Sequence, residues 1–277
     1  MKRHLHLNCH SGAAGDMILC ALVDLGADAN RIERMFLDSD IGVKEIRFRE
    51  VLRSGIRGLC LEIREQDTGF RKKNSPDHGA GMESKINHHE HAHGNRHDQP
   101  VKSGPHRHLK DMLDIVDQCS VTPVVKKMAI HTLRLLAEAE GRIHDVSPEK
   151  IHFHEISGID TIVDVLGTCM GLEMLEIESI SASPVAVGRG MLHCAHGTFP
   201  VPAPATLEIM AGRNIPCKEG PLDGEFLTPT GAALLGATVN CFEGMPPLCP
   251  ERTGYGAGSN DYHGHANILQ ATIGKRC

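Results

Sequence analysis

Two imidazoles and three carboxylates lie close together in the middle of the chain: His152, His154 and Glu155, then Asp160 and Asp164. Side chains alternate along an extended segment, so His152 and His154 leave the same side and can grip one ion, while Glu155 points away unless the chain turns. Asp160 and Asp164 fall one helical turn apart, where two like charges cost about 0.2–0.5 kcal/mol unless a cation or basic partner intervenes. A metal site or a general base is the natural chemistry of this set. The alternative is locally hydrogen-bonded histidines and solvent-facing aspartates.

A second group, His193, Cys194 and His196, offers thiolate and imidazole donors to a late first-row metal such as nickel. Cys194 also reads as a buried thiol, and His193 as a strand end. A third set, His88, His89, His91 and His93, sits in a stretch that can collect several ions without fixed geometry. Two segments are built to start helices with free backbone N–H groups, which accept phosphate or carboxylate. They are the small-residue turn from Ser11 through Gly12 and Gly15 to Asp16, and Thr228-Pro229-Thr230-Gly231. Ordinary capping explains the same residues, and neither a Walker A lysine nor a full GxGxxG is present.

Positioning these groups requires a mixed core. Residues 3–9 alternate as a strand, Ile18, Ala21, Leu22 and Leu25 mark a helix face, and a short helix is expected over 28–37. Two strands near 44–51 and 58–65 join through Ser54-Gly55. From residue 70 to 106 apolar periodicity vanishes, predicting a disordered His-rich loop. Helices resume at Leu109, at Pro123 behind a Thr122 cap as far as Gly141, and at Ile159. Strands near 177–187 and 190–194 follow, then helices opening at Pro204 and Pro229, a turn over Gly254 to Gly258, and a last strand around 267–273. The fold class is α+β, a compact mixed α/β core made of residues 1–69 and 107–277 with the insertion at 70–106.

Among 277 residues, 40% are apolar, but seven Phe, two Tyr and no Trp make the core aliphatic and base stacking a poor expectation. A net charge of -6 argues against nucleic acid, whose binders concentrate Lys and Arg. No run of about twenty apolar residues offers a membrane span. The polar start Met1 to His10 does not read as a secretory signal, so a cytoplasmic protein is expected. Ten scattered cysteines without a CxxC pair read as reduced thiols, and 19 histidines are the compositional anomaly.

Several words recur in order along the chain: Asn8 to Met17, Arg107-His108-Leu109, His152 to Glu155, Cys194 to Thr206, Thr228 to Ala233 and Gly254 to Gly258. Together they resemble the LarC family of nickel-insertion proteins. The resemblance implies CTP-dependent insertion of nickel into pyridinium-3,5-bisthiocarboxylic acid mononucleotide, giving the nickel-pincer cofactor of lactate racemase, with manganese or magnesium accompanying CTP. By matching motifs it implies nickel handling by His152, His154, His193, Cys194 and His196, and a base or second ion site at Glu155, Asp160 or Asp164. Ser11, Gly12, Gly15, Asp16, Thr228 and Thr230 are then candidates for the substrate phosphate. Implied partners are the mononucleotide, CTP, a client such as apo lactate racemase, and a separate C-terminal domain of the same family that binds CTP and is expected to be absent from these 277 residues; a homo-oligomer is also expected. The competing readings are a non-catalytic His-rich nickel chaperone and a metal-dependent hydrolase using His152, His154 and Asp160.

Overall fold

The computed structural model describes residues 3–65, 107–153, 158–194 and 197–276, the side chains of His152 and Cys194 excepted. The expected loop at 70–106 falls outside them. In chain order the elements are β1 (His4–Asn8), α1 (Gly15–Asp24), α2 (Ala29–Asp38), β2 (Val43–Arg53), β3 (Ile56–Glu65), β4 (Arg107–His108), α3 (Leu109–Gln118), α4 (Pro123–His144), β5 (His152–Phe153) and α5 (Ile159–Met174). There follow β6 (Ser179–Ala182), β7 (Val185–Ala186), β8 (Gly188–Arg189), β9 (Met191–Cys194), β10 (Gly197–Pro200), α6 (Pro204–Arg213), β11 (Cys217–Lys218), β12 (Gly224–Glu225), α7 (Pro229–Thr238), β13 (Cys241–Phe242), β14 (Leu248–Ala257) and β15 (Ile268–Arg276).

Local chemistry sets these boundaries. Asp28 caps α2 by accepting the Arg31 N–H at 3.1 Å. Thr122 caps α4 through Val125 at 3.2 Å, with Pro123 in the first turn, where a missing N–H costs nothing. That helix runs three residues past the expected Gly141, ending where Asp145 turns left-handed at φ 52°. Ser54 at φ 48° and Gly55 at φ 82° make the two-residue hairpin turn between β2 and β3, as the sequence predicts. The strand expected over 177–187 is broken in two at Ser183-Pro184, since proline donates nothing to a ladder.

One seven-stranded mixed sheet, in the order β13-β6-β1-β15-β14-β3-β2, carries the molecule. β1 lies parallel to β6 and antiparallel to β15, so strands from both sides of residues 66–106 share it. Leu5, Leu7, Ile180, Leu269, Ala271 and Ile273 point into a core completed by α1, α5, α4 and α7. The expected turn at Gly254 to Gly258 is instead mostly strand: Gly254 and Gly256 lie within β14, antiparallel to β15. These glycines serve close approach, because a Cβ at Gly256 would stand 1.8 Å from the Met17 carbonyl oxygen and one at Gly254 2.4 Å from that of Ala21. Helix α1 therefore lies directly on the sheet.

Beside the core, His4 and His6 of β1 form a hydrogen-bonded row with β6. His4 meets Ser179 and Ser181 through its two ring nitrogens at 2.7 and 2.8 Å, and His6 meets Ser181 at 2.9 Å. Both imidazoles are held below their ordinary range, first by burial. These two of the 19 histidines are thus accounted for as structural.

Two outcomes follow. Gly256→Ala lowers the free energy of unfolding by about 1–3 kcal/mol in denaturant titration, whereas Gly244→Ala, with nothing within 4 Å of its Cβ, leaves it within about 0.5 kcal/mol. Because a lowered imidazole pKa gives stability that is lost as pH falls below 6.5, His6→Gln makes the melting temperature less sensitive to acid in that range.

Candidate functional site

Leaving β1, the chain turns at once. The Gly12 N–H returns to the Cys9 carbonyl at 3.0 Å. Gly12 has φ +78°, and a Cβ there would meet the Phe226 oxygen at 1.9 Å. Ala13 then pairs with the segment before α7: its N–H donates to Phe226 at 2.9 Å, and its carbonyl accepts from Thr228 at 3.2 Å. Gly231 completes the contact, because a Cβ on it would stand 2.1 Å from the Ala13 oxygen. The two helix-start words, 214 residues apart from Ala14 to Thr228, are thereby stitched together. Thr228 Oγ1 accepts the Gly231 N–H at 3.1 Å as an ordinary cap. Ser11 and Thr230 are buried.

On the other side of this turn, α1 meets the start of α5. The N-cap residue Ala14 supplies no side-chain bond. Instead the Asp164 carboxylate occupies the notch left by Gly15, where an added Cβ would be 2.4 Å from its Oδ2, and accepts the Asp16 backbone N–H. Asp16 accepts the Met17 N–H at 2.8 Å, and exposed Asp160 accepts that of Thr161 at 2.8 Å. Burial pushes the Asp164 carboxyl well above the usual carboxylate range, and the charges of Asp16 and Asp160 push it further. Asp16 is raised by burial and then by Asp160, against the pull of backbone N–H groups. Behind them the Cys20 thiol is pushed up by burial and by Asp16, Cys60 and Asp164, so it stays protonated. Like charges at Asp16 and Asp160 so near Asp164 favour a proton held on its carboxyl.

The other expected residues are distributed unevenly. His152 in β5 stands opposite His108 in β4, and His108 Nδ1–H donates to the Ile151 carbonyl at 3.1 Å. Fixing one ring nitrogen orients the other. Reading His152 and His154 alone missed His108, though the word Arg107-His108-Leu109 contained it. His193 lies exposed on the β9–β10 hairpin, its Nδ1 2.8 Å from Thr198 Oγ1, and Cys194 pairs with Gly197 next to it. His154, Glu155, His196, His88, His89, His91 and His93 lie outside the described residues, as does the side chain of His152. Among the described residues no three His, Cys, Asp or Glu side chains are arranged to hold a metal ion. A cleft of about 600 Å³ is lined by Arg31, Met35, Thr122 and Glu173, and none of the described candidate residues lines it.

With this geometry in place, comparison with known proteins becomes specific. The family model described as nickel insertion protein matches residues 5–276. The chain belongs to the nickel insertion protein family. A pyridinium-3,5-bisthiocarboxylic acid mononucleotide nickel insertion protein of Desulfitobacterium hafniense is 37% identical over 270 residues, covering 98% of this chain and 58% of the relative. Proteins of the same name from Staphylococcus epidermidis and Geobacillus kaustophilus are 34% and 33% identical, each covering 98% of this chain and 59% of the relative. The chain thus spans about three fifths of the length of these family relatives. No solved structure matches it significantly.

The Asp164 environment has a measurable consequence. A carboxyl whose folded pKa is raised destabilises the fold as pH climbs above the unfolded value of 3.8, because the unfolded chain then ionises first. Asp164→Asn keeps an acceptor for the Asp16 N–H without the charge. Its melting temperature relative to wild type should rise from pH 4 to pH 7; a difference that is flat with pH would contradict the crowded-carboxylate description.

Proposed function

We propose that this chain handles the nickel and the mononucleotide in CTP-dependent nickel insertion into pyridinium-3,5-bisthiocarboxylic acid mononucleotide, forming the nickel-pincer cofactor of lactate racemase. The observation that carries this is the Asp16, Asp160 and Asp164 cluster at the joined helix starts. Cyclometallation breaks a ring C–H bond. Its electron pair forms the carbon–nickel bond, the thiocarboxylate sulfurs complete the pincer, and the proton must leave. Asp164 is the base in this reading, because burial and two neighbouring charges raise its proton affinity above that of an ordinary carboxylate. Glu155 and Asp160 are its candidate helpers.

Nickel is substrate here, and His152, His154, His193, Cys194 and His196 are its proposed handlers, with His88, His89, His91 and His93 as collectors. The hard oxygens of Asp16 and Asp160 fit a manganese or magnesium ion accompanying CTP by donor type. The chain would work with a CTP-binding domain corresponding to the remaining length of its relatives, in a homo-oligomer, and deliver cofactor to apo lactate racemase or a similar client. A cytoplasmic setting suits the eight described cysteines, all free thiols. No helix among the described residues is long and apolar enough to cross a membrane.

The second reading, a nickel chaperone or store, draws on the histidines of residues 78–97. The test is a mass-spectrometric assay for the nickel-pincer product with nickel, CTP, manganese and the thiocarboxylated mononucleotide, with and without the separately expressed remainder of a relative. Product is expected, and Asp164→Asn should reduce it about 10²-fold or more while nickel binding persists. No product in either mixture, with nickel binding abolished by deletion of 78–97, would favour the chaperone.

A further inference from the structure

The turn that presents Asp16 to α5 has an opposite edge of opposite character. Its first side is formed by His10 and Ser11, and the loop before β15 brings His265 against it. The Ser11 hydroxyl donates to the Ala266 carbonyl at 2.9 Å, so its 3.0 Å contact with His265 Nε2 must be accepted from the ring N–H. That fixes the tautomer of His265 and leaves Nδ1 for another partner. The ring is braced by Phe226, centroids 5.8 Å apart at 63°, and Phe226 in turn stacks on Tyr262 at 5.3 Å and 16°. His10 faces the same imidazole edge-on, with centroids 6.2 Å apart. Lys218 of β11 belongs to the group, because the Val187 N–H binds its carbonyl and the Ala186 N–H that of Cys9, tying β11, β7 and the turn together. Among the described residues no carboxylate pairs with Lys218. The backbone N–H groups of His10 and Ser11, the two central residues of the Cys9 to Gly12 turn, also find no acceptor there.

We propose that His10, His265 and Lys218, with the N–H groups of the turn, form the seat for the phosphate of an anionic substrate; resting on the nickel-insertion reading, that substrate is the pyridinium mononucleotide. The Lys218 ammonium and the free backbone N–H groups supply hydrogen-bond donors that a phosphate accepts, and the His265 Nδ1 left over by the Ser11 contact accepts the P–OH of a phosphate monoanion. The Lys218 ammonium meets no described counter-charge until the anion arrives; burial first, then His265, then Lys218, hold the His10 imidazole below its ordinary range, in keeping with a site that lacks negative charge of its own. Lys218 also decides against a metal ion between the two imidazoles, since its charge would repel it. The start of α1 is a poor phosphate seat by the same reasoning, with Asp16 in its first turn and Asp164 already on its N–H. Ser11 is a positioning residue here; its hydroxyl is committed to His265 and Ala266.

The division of labour is then spatial. Anion and acid sites occupy the two ends of one segment, His10 to Asp16, so a substrate held by its phosphate at the first end presents its ring towards the second.

Calorimetry with nicotinate mononucleotide and nicotinate riboside tests this, since the two differ only in the phosphate. The mononucleotide should bind at least tenfold more tightly. Lys218→Ala and His265→Gln should erase that preference without changing riboside affinity, and Lys218→Arg should retain it, with unchanged melting curves confirming intact folds. A preference that survives all three substitutions overturns the assignment. Nickel binding that strengthens in Lys218→Ala and is not competed by inorganic phosphate also overturns it, making the histidines a metal pair. If neither nucleoside nor nucleotide binds, but inorganic phosphate still stabilises the wild type and not Lys218→Ala, the anion seat stands and the mononucleotide reading of the site falls.

Discussion

A single carboxylate seated where glycine has no side chain organises the region around the site. Asp164 can occupy the notch at Gly15 only because α1 and α5 pack side by side, and it can cap α1 only because Ala14 supplies no bond of its own. Helix packing energy, spread over many aliphatic contacts, holds a carboxyl where water would otherwise solvate its ionised form. The cost of that burial is concentrated at the mouth of the site. It appears there as proton affinity, which makes the position useful to chemistry and expensive when left ionised.

The glycines of β14 underlie this arrangement. With a side chain at Gly254 or Gly256, α1 would be lifted off the sheet, and the Cys9 to Asp16 turn would lose its register with Phe226 and Thr228. Backbone approach, rather than side-chain complementarity, thus sets the positions of the acidic and basic edges of the turn. The two edges tolerate opposite charge because the turn itself separates them, each facing a different neighbour: α5 on one side, and the loop before β15 on the other.

Much of this was legible in residue order. Period and capping located α2, α4, α5, α6 and α7, because Asp28, Thr122, Pro204 and Pro229 act locally and their signals are local too. The hairpin at Ser54-Gly55 was legible for the same reason. Gly254 to Gly258 misled, since glycine marks both a turn and a strand under a close helix, and only the position of Met17 and Ala21 distinguishes them. In the site, Asp160 and Asp164 could be paired from helical spacing, but Asp16 joins them across 144 residues, a contact no periodicity encodes. His265 stayed invisible for the same reason: its role depends on a hydroxyl at Ser11.

The pairing of β1 has a consequence for biosynthesis. The first strand of the chain lies between β6 and β15, so its two neighbours are translated only after residues 179 and 268 respectively. A nascent chain therefore carries Leu5 and Leu7 without their sheet until residues beyond 268 have been made, and the centre of the sheet closes only once β15 has left the ribosome. Such late, long-range closure makes for slow folding and an exposed strand edge in the interim. In a cell, the yield of this protein would depend on whatever shields that edge during elongation, apart from how stable the finished fold is.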